Sequence, residues 1–180
     1  YWRNELQGEL PMTQLPNRGE RRQSVGGRVD IAIAQQTQRQ LKQYLAQNNL
    51  SAAVFFLTSF QILLSRHASN KDVNNQEIIL GIPVLHRPKK EMANSLGLFV
   101  NQLPLRNTID TINNSQDFMA LANSNQNKLS ALVSHSGYPF SEIVKTINAP
   151  RSDVLHPIFQ MGFSYHNFIG QDWFDANQRL

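Results

Sequence analysis

The chain contains no cysteine. Disulfides, zinc–thiolate sites, iron–sulfur ligation and thiol nucleophiles are thereby excluded together. Long apolar runs are also missing. The greasiest stretch, Ala52–Leu64, is interrupted by Thr58, Ser59 and Gln61, well short of the roughly 20 apolar residues that span a bilayer. No initiator methionine and no basic-then-apolar leader opens the sequence. We therefore read a cytoplasmic segment, with no membrane partner, cut from within a longer polypeptide. No glycine-rich turn joins a strand to a helix, which argues against dinucleotide and P-loop sites. Acidic residues number only 13 of 180 and are scattered, so paired catalytic carboxylates are not expected. The five histidines form no H-E-x-x-H or H-x-H pattern, and no serine sits in a G-x-S-x-G elbow. Metal-assisted and serine-nucleophile chemistry therefore lack their signatures.

What is present is a polar, mildly basic chain with a substantial apolar fraction. Its 17 basic residues exceed the acidic ones by 4, and Arg18, Arg21, Arg22 and Arg28 lie close together. No aromatic residue is interleaved with them, so the cluster reads as solvated surface rather than a nucleic-acid platform. Asparagine and glutamine are abundant but dispersed, unlike an aggregation-prone tract.

Periodicity divides the chain into alternating elements. Tyr1–Leu6 has helical spacing and stops before Gly8 and Pro11. Met12–Gly27 is polar and turn-rich, a surface crossing segment. Arg28–Ala34 alternates Val29, Ile31 and Ile33 with smaller or charged residues, the pattern of a half-buried strand. Gln35–Gln47 is helical, with Leu41, Tyr44 and Leu45 as its apolar stripe. Ser51 is placed to cap a second helix, Ala52–His67, which is apolar nearly all round. We expect it at the centre of the core, with Phe56, Leu57, Phe60, Ile62 and Leu63 inaccessible. Glu77–Val84 reads as a buried strand, and Leu98–Leu105 as an extended one that Pro104 demotes to a sheet edge or a bulge. Ser115–Ser134 is amphipathic helix, Pro139–Ile147 a short helix with proline at its first turn, and Ile158–Tyr165 a further strand. Helices alternating with strands predict an α/β fold, a two-layer sandwich in which helices cover a mixed β-sheet. The domain reading is an opening helix and crossing segment over 1–27, a lobe over 28–168, and a tail over 169–180.

Several segments carry punctuation that packing alone does not require. Gly81-Ile82-Pro83-Val84 ends a buried strand and is followed by Arg87. Leu96 to Arg106 (LGLFVNQLPLR) places Asn101 and Arg106 on an apolar strand. Five positions apart, they face opposite ways on an unbroken strand; a bulge near Pro104 would bring them to one face. His135-Ser136-Gly137-Tyr138-Pro139-Phe140 is a tight entrance to the short helix, and Arg151 to Gln160 leads into the last strand.

With Tyr1-Trp2-Arg3-Asn4-Glu5-Leu6, these segments resemble, in order and spacing, the C-terminal half of the condensation domain of non-ribosomal peptide synthetases. The family patterns they are similar to are Y-W-x-x-x-L, G-x-P-V-x-x-R, I-G-x-F-V-N-T-L-x-L-R, H-Q-D-x-P-F and R-D-x-S-R-N-P-L-F-Q. The resemblance implies a chloramphenicol acetyltransferase-like lobe. It also implies amide-bond formation between an acyl or peptidyl donor and an aminoacyl acceptor, each carried on the phosphopantetheine arm of a carrier protein. No cofactor bound directly to this chain is implied. The family's catalytic motif, HHxxxDG, has no counterpart here, since no two histidines adjoin. The resemblance therefore assigns no catalytic residue to this chain. It makes the chain one wall of a tunnel completed by an N-terminal lobe, with carrier proteins as further partners and self-association of the isolated lobe expected. The tunnel or lobe-interface candidates are Arg87, Asn101, Arg106, His135, Tyr138, Arg151, Gln160, Ser164 and Tyr165. Arg106 is expected to find its partner at the junction with that other lobe.

Ser136-Gly137 departs from the family's Q-D and removes a carboxylate that could cap the short helix. This departure favours an alternative, a degenerate, non-catalytic condensation-like domain that recruits carrier proteins or an enzyme. Epimerase and heterocyclisation branches share the fold, but Phe99-Val100-Asn101 and Tyr138-Pro139-Phe140 match ordinary condensation better.

Overall fold

The computed structural model describes residues 1–13, 26–67, 75–110, 117–149 and 156–166. The crossing segment beyond Thr13, most of the loop after His67, Arg151 and the tail lie outside the described residues. The chain runs through α1 (Trp2–Glu5), α2 (Gln35–Gln47), α3 (Ala52–His67), β1 (Asn75–Leu85), a 3-10 turn at Lys90–Asn94, β2 (Val100–Asp110), α4 (Phe118–Ser134), α5 (Phe140–Thr146) and β3 (Met161–Gly162). The three strands form a sheet in the order β2-β1-β3, with β1 antiparallel to β2 and parallel to β3. This is the mixed sheet with covering helices that the alternation of elements predicts.

The β1–β2 ladder is continuous from Asn75↔Asp110 to Leu85↔Val100. Pro104 stands opposite Gly81 in this ladder without a bulge, on a strand that is a sheet edge among the described residues. Asn101 and Arg106 consequently stay on opposite faces. Pleating places Ile78, Leu80 and Ile82 with Leu103, Leu105, Asn107 and Ile109 on one face; all are buried, and α3 and α4 pack there. Ile79, Gly81 and Arg106 share the other face. A methyl group on Gly81 would lie 2.2 Å from the Phe159 ring, so only glycine lets that buried ring pack flat on the strand.

Helix ends follow local chemistry. Ser51 Oγ accepts from the Val54 N–H at 3.2 Å, and Asp117 Oδ1 accepts from the Met119 N–H at 3.2 Å, so α3 and α4 start from side-chain caps. Asn49 and Asn148, just past α2 and α5, adopt φ of 49°, the left-handed conformation that asparagine tolerates.

The buried face of α3 differs from the expected one. Its stripe is Val54, Leu57, Thr58, Gln61, Leu64 and Ser65. Phe56, Phe60 and Ile62 are only half-buried, and Leu63 is 52% exposed. The reason is an amide network that sequence spacing does not reveal. Asn125 Nδ2 donates to Thr58 Oγ1 and Gln61 Oε1, both at 2.9 Å, and Asn107 Nδ2 donates to Gln61 Oε1 at 3.1 Å and Asn125 Oδ1 at 2.5 Å. Thr58 in turn donates to the Val54 carbonyl at 2.8 Å. These bonds offset much of the cost of burying the amides, although Gln61 Nε2 has no partner among the described residues, and the phenylalanine face turns outward.

Two further expectations are corrected. Arg28–Ala34 forms no strand. Val29 and Ile31 are 85% and 84% exposed, because no sheet edge among the described residues lies alongside to pair with them. The last strand is laddered only at Met161–Gly162, although its alternation extends over eight residues.

Candidate functional site

The sequence segments singled out above converge at one end of the β1–β2 hairpin. Arg87, just past β1, organises the connection between the strands. Its Nη1 donates to the carbonyls of Met92, Ala93 (2.8 Å) and Ser95 (3.2 Å), and its guanidinium lies 4.3 Å from the centre of the Phe99 ring. The neighbouring His86 N–H donates to the Phe99 carbonyl at 2.8 Å. One residue into β2, Asn101 uses its whole amide. Nδ2 donates to the Ser136 and Tyr138 carbonyls, both at 2.9 Å, and Oδ1 accepts from the Phe140 N–H at 3.1 Å. The short helix is thus capped from β2, so the missing carboxylate at Gly137 is not needed.

Gly137 has a different role. A Cβ there would stand 3.2 Å from His86 Cε1, while His86 Nδ1 lies 3.0 Å from the Ser136 hydroxyl. Ser136 is buried, so this pair fastens a turn and does not present a nucleophile. His135 stacks on the Tyr1 ring at 3.9 Å, and its Nδ1–H donates to the Ala131 carbonyl at 2.8 Å. The Tyr138 hydroxyl bonds Thr146 Oγ1 at 2.9 Å. Beside this turn lies a cavity of about 520 Å³ lined by Tyr1, Trp2, His135, Gly137, Tyr138 and Thr146 among others. The Trp2 indole N–H is buried without a hydrogen-bond partner among the described residues.

Arg106 belongs to a second cluster. Its Nη1 donates to the Gln7 carbonyl at 2.7 Å, and its Nη2 to the Glu9 carbonyl at 3.1 Å and to Glu77 Oε2 at 2.5 Å. The side chain is only 13% exposed. The expectation that its partner lies beyond this chain is corrected: the fork clasps the segment after α1 and a carboxylate of β1. Lys128 completes the cluster, donating to the Arg106 carbonyl at 2.5 Å and lying 3.9 Å from Glu5. Burial pushes its ammonium below the ordinary lysine value, and the nearby Arg106 adds to this.

Among the remaining candidates, Gln160 Oε1 accepts from the Thr13 N–H at 3.1 Å, the Ser164 hydroxyl lies 2.6 Å from His166 Nε2, and Tyr165 stacks against Phe56 at 6.1 Å. These three line the β3 side and do not join the turn. Arg151 lies outside the described residues. His86 and Lys128 were not singled out by sequence reasoning, although His86 sits beside Arg87 in the same segment, and Ser136 was singled out only as a departure from the family pattern. No group of three or more metal-ligating side chains occurs among the described residues, nor is any single helix there long and apolar enough to cross a membrane.

Residues 1–180 match the Condensation domain family. The chain belongs to that family. Polyketide synthase PksN of Bacillus subtilis (strain 168) is 28% identical over 172 residues, a match covering 94% of this chain and 3% of PksN. Among solved structures, holo-AB3403, a four-domain nonribosomal peptide synthetase bound to AMP and glycine, superposes with a TM-score of 0.77 at 22% identity. That match covers 95% of this chain and 13% of the synthetase. The X-domain from teicoplanin biosynthesis gives a TM-score of 0.72 at 20% identity, over 89% of this chain and 35% of the X-domain chain. This condensation-domain chain therefore spans a small part of the synthetases it resembles and about a third of that single domain. The α/β lobe is the fold these structures share.

Proposed function

We propose that this chain forms one wall of the tunnel in an amide-forming condensation domain. A donor acyl or peptidyl thioester and an aminoacyl acceptor, each on the phosphopantetheine arm of a carrier protein, meet in that tunnel. The catalytic histidine motif comes from another part of the parent. In this reading the chain contributes shape and backbone placement, and no group that takes up a proton.

The observation carrying the proposal is the Asn101 clamp. Three segments far apart in sequence, 84–87, 99–101 and 135–140, are drawn together by one amide and its neighbours. A positioned wall of this kind is what a tunnel needs, because misplacement of reacting groups by about 1 Å costs on the order of a hundredfold in rate. The exposed apolar side chains around the hairpin end, with Leu98 at 93% exposure, fit a face covered by a partner lobe. Left uncovered, such a patch favours self-association.

A second reading, a non-catalytic recruiting platform, has Ser136-Gly137 in its favour. That support is reduced by the Asn101 cap and the His86–Ser136 contact, which hold the turn without the family's usual pair.

The test uses the intact parent domain with two loaded carrier proteins and mass spectrometry of the product. The proposal expects an amide product and a loss of at least tenfold in Asn101→Ala, with carrier loading unchanged. Carrier binding without any amide product would select the platform.

A further inference from the structure

We infer that His86 is a positioning residue for the condensation reaction: its imidazole bolts the end of β1 to the turn at 135–138, and position 137 is glycine to make room for it. The inference rests on the tunnel reading above. It assigns the Ser136-Gly137 departure to a different fastening of the turn rather than to lost function.

Gly137 has no conformational need to be glycine. The described glycines with positive φ are Gly8 and Gly97, so another residue could follow the backbone at 137. What the position lacks is space. A Cβ there would lie 3.2 Å from His86 Cε1 and 3.3 Å from His86 Nε2, inside the ordinary contact distance of about 3.5–4.0 Å. Apart from the chain neighbours, no other described atom comes within 4 Å of that point. The imidazole alone sets the limit.

The imidazole is itself held. Its Nδ1 lies 3.0 Å from Ser136 Oγ, on a residue only 5% exposed, one group donating and the other accepting. Swinging the ring aside to admit a side chain at 137 would leave that buried hydroxyl without its partner. The backbone is held as well, by the His86 N–H to the Phe99 carbonyl at 2.8 Å. Arg87 grips the carbonyls of the following connection, so adjacent residues fasten the end of β1 in two directions. An aspartate at 137, as in H-Q-D-x-P-F, and this ring would claim the same space. The turn so fixed carries His135 and Tyr138 into the wall of the cavity of about 520 Å³. Displacing such a wall by about 1 Å is enough to cost on the order of a hundredfold in rate.

The test uses the intact condensation domain with two loaded carrier proteins, far below its unfolding temperature. His86→Ala removes the bolt. His86→Asn keeps a polar atom as many bonds from the backbone as Nδ1, while removing the ring edge at Cε1 and Nε2. At saturating carrier proteins, amide formation should fall at least about tenfold in His86→Ala and stay within about threefold of wild type in His86→Asn, with half-saturating carrier concentrations unchanged in both. Gly137→Ala should lower the rate in the wild-type background and have no further effect in His86→Asn, the non-additivity of a direct contact. A His86→Ala rate within about twofold of wild type overturns the inference. So does an equal loss in the alanine and asparagine variants, an equal cost of Gly137→Ala in both backgrounds, or a loss confined to the half-saturating carrier concentration. Hydrogen exchange separates this inference from the tunnel reading. The Tyr138 and Phe140 N–H groups should exchange at least about tenfold faster in His86→Ala than in wild type or His86→Asn. A wild-type domain that gives no amide product refutes the tunnel reading; equal exchange in all three proteins refutes the bolt, whatever the product.

Discussion

Asn101→Ala offers the sharpest perturbation of the clamp in the isolated chain. The substitution removes two donated bonds to the Ser136 and Tyr138 carbonyls and the acceptor that caps α5. A net hydrogen bond contributes about 0.5–1.5 kcal/mol, and loss of a helix cap costs typically about 1 kcal/mol. Asn101 is half-buried, so water partly restores the freed carbonyls. The sum is about 2–4 kcal/mol. For a chain of this size, about 2–4 °C per kcal/mol converts that to a fall in Tm of roughly 5–15 °C by calorimetry. Asn101→Asp keeps the acceptor for the Phe140 N–H but replaces the two donated bonds with a charge facing two carbonyl oxygens. It should be at least as destabilised as alanine at neutral pH. A Tm for Asn101→Ala within about 1 °C of wild type would show that the 135–140 turn is held by something else.

Other perturbations test separate parts of the account. Leu57→Ala, at a fully buried position, should cost about 2–5 kcal/mol in urea unfolding, whereas Leu63→Ala in the isolated chain should stay within about 0.5 kcal/mol; equal costs would contradict the assignment of the α3 faces. Gly81→Ala should destabilise by about 1–3 kcal/mol through overpacking against Phe159, and Gly81→Ala with Phe159→Leu should recover part of the loss if that contact is the cause. His156 lies against the rings of Phe140 and Phe159, and burial holds its pKa below the ordinary value of 6.5. The folded chain therefore binds fewer protons there than the unfolded one, so this group's contribution to stability falls as pH drops below about 6.5. His156→Gln should flatten the stability–pH slope just below that value; an unchanged slope would assign it to other groups.

Elements governed by local chemistry were legible before the structure. The bounds of α2 and α3 follow from the polar break at 48–51 and the Ser51 cap, and β1 from its unbroken apolar run. What the sequence could not show was which partners each face would meet. Alternation in 28–34 states a preference for a half-buried strand, but a strand needs an edge to join, and among the described residues none lies there. The all-round apolarity of α3 concealed its buried side, because Asn107 and Asn125, which make burial of Gln61 tolerable, come from 46 and 64 residues away. Asn101 and Arg106 stood out correctly as polar residues on an apolar strand. Their partners, 35–39 residues downstream for Asn101 and 29, 97 and 99 residues upstream for Arg106, are products of the fold.

The central claim is that this chain shapes a condensation site without supplying its acid–base group. The most direct measurement compares amide product from two loaded carrier proteins when the 180-residue chain alone is added and when the intact parent domain is added. The account predicts product with the intact domain and only background with the chain alone. Turnover well above background by the chain alone would contradict it.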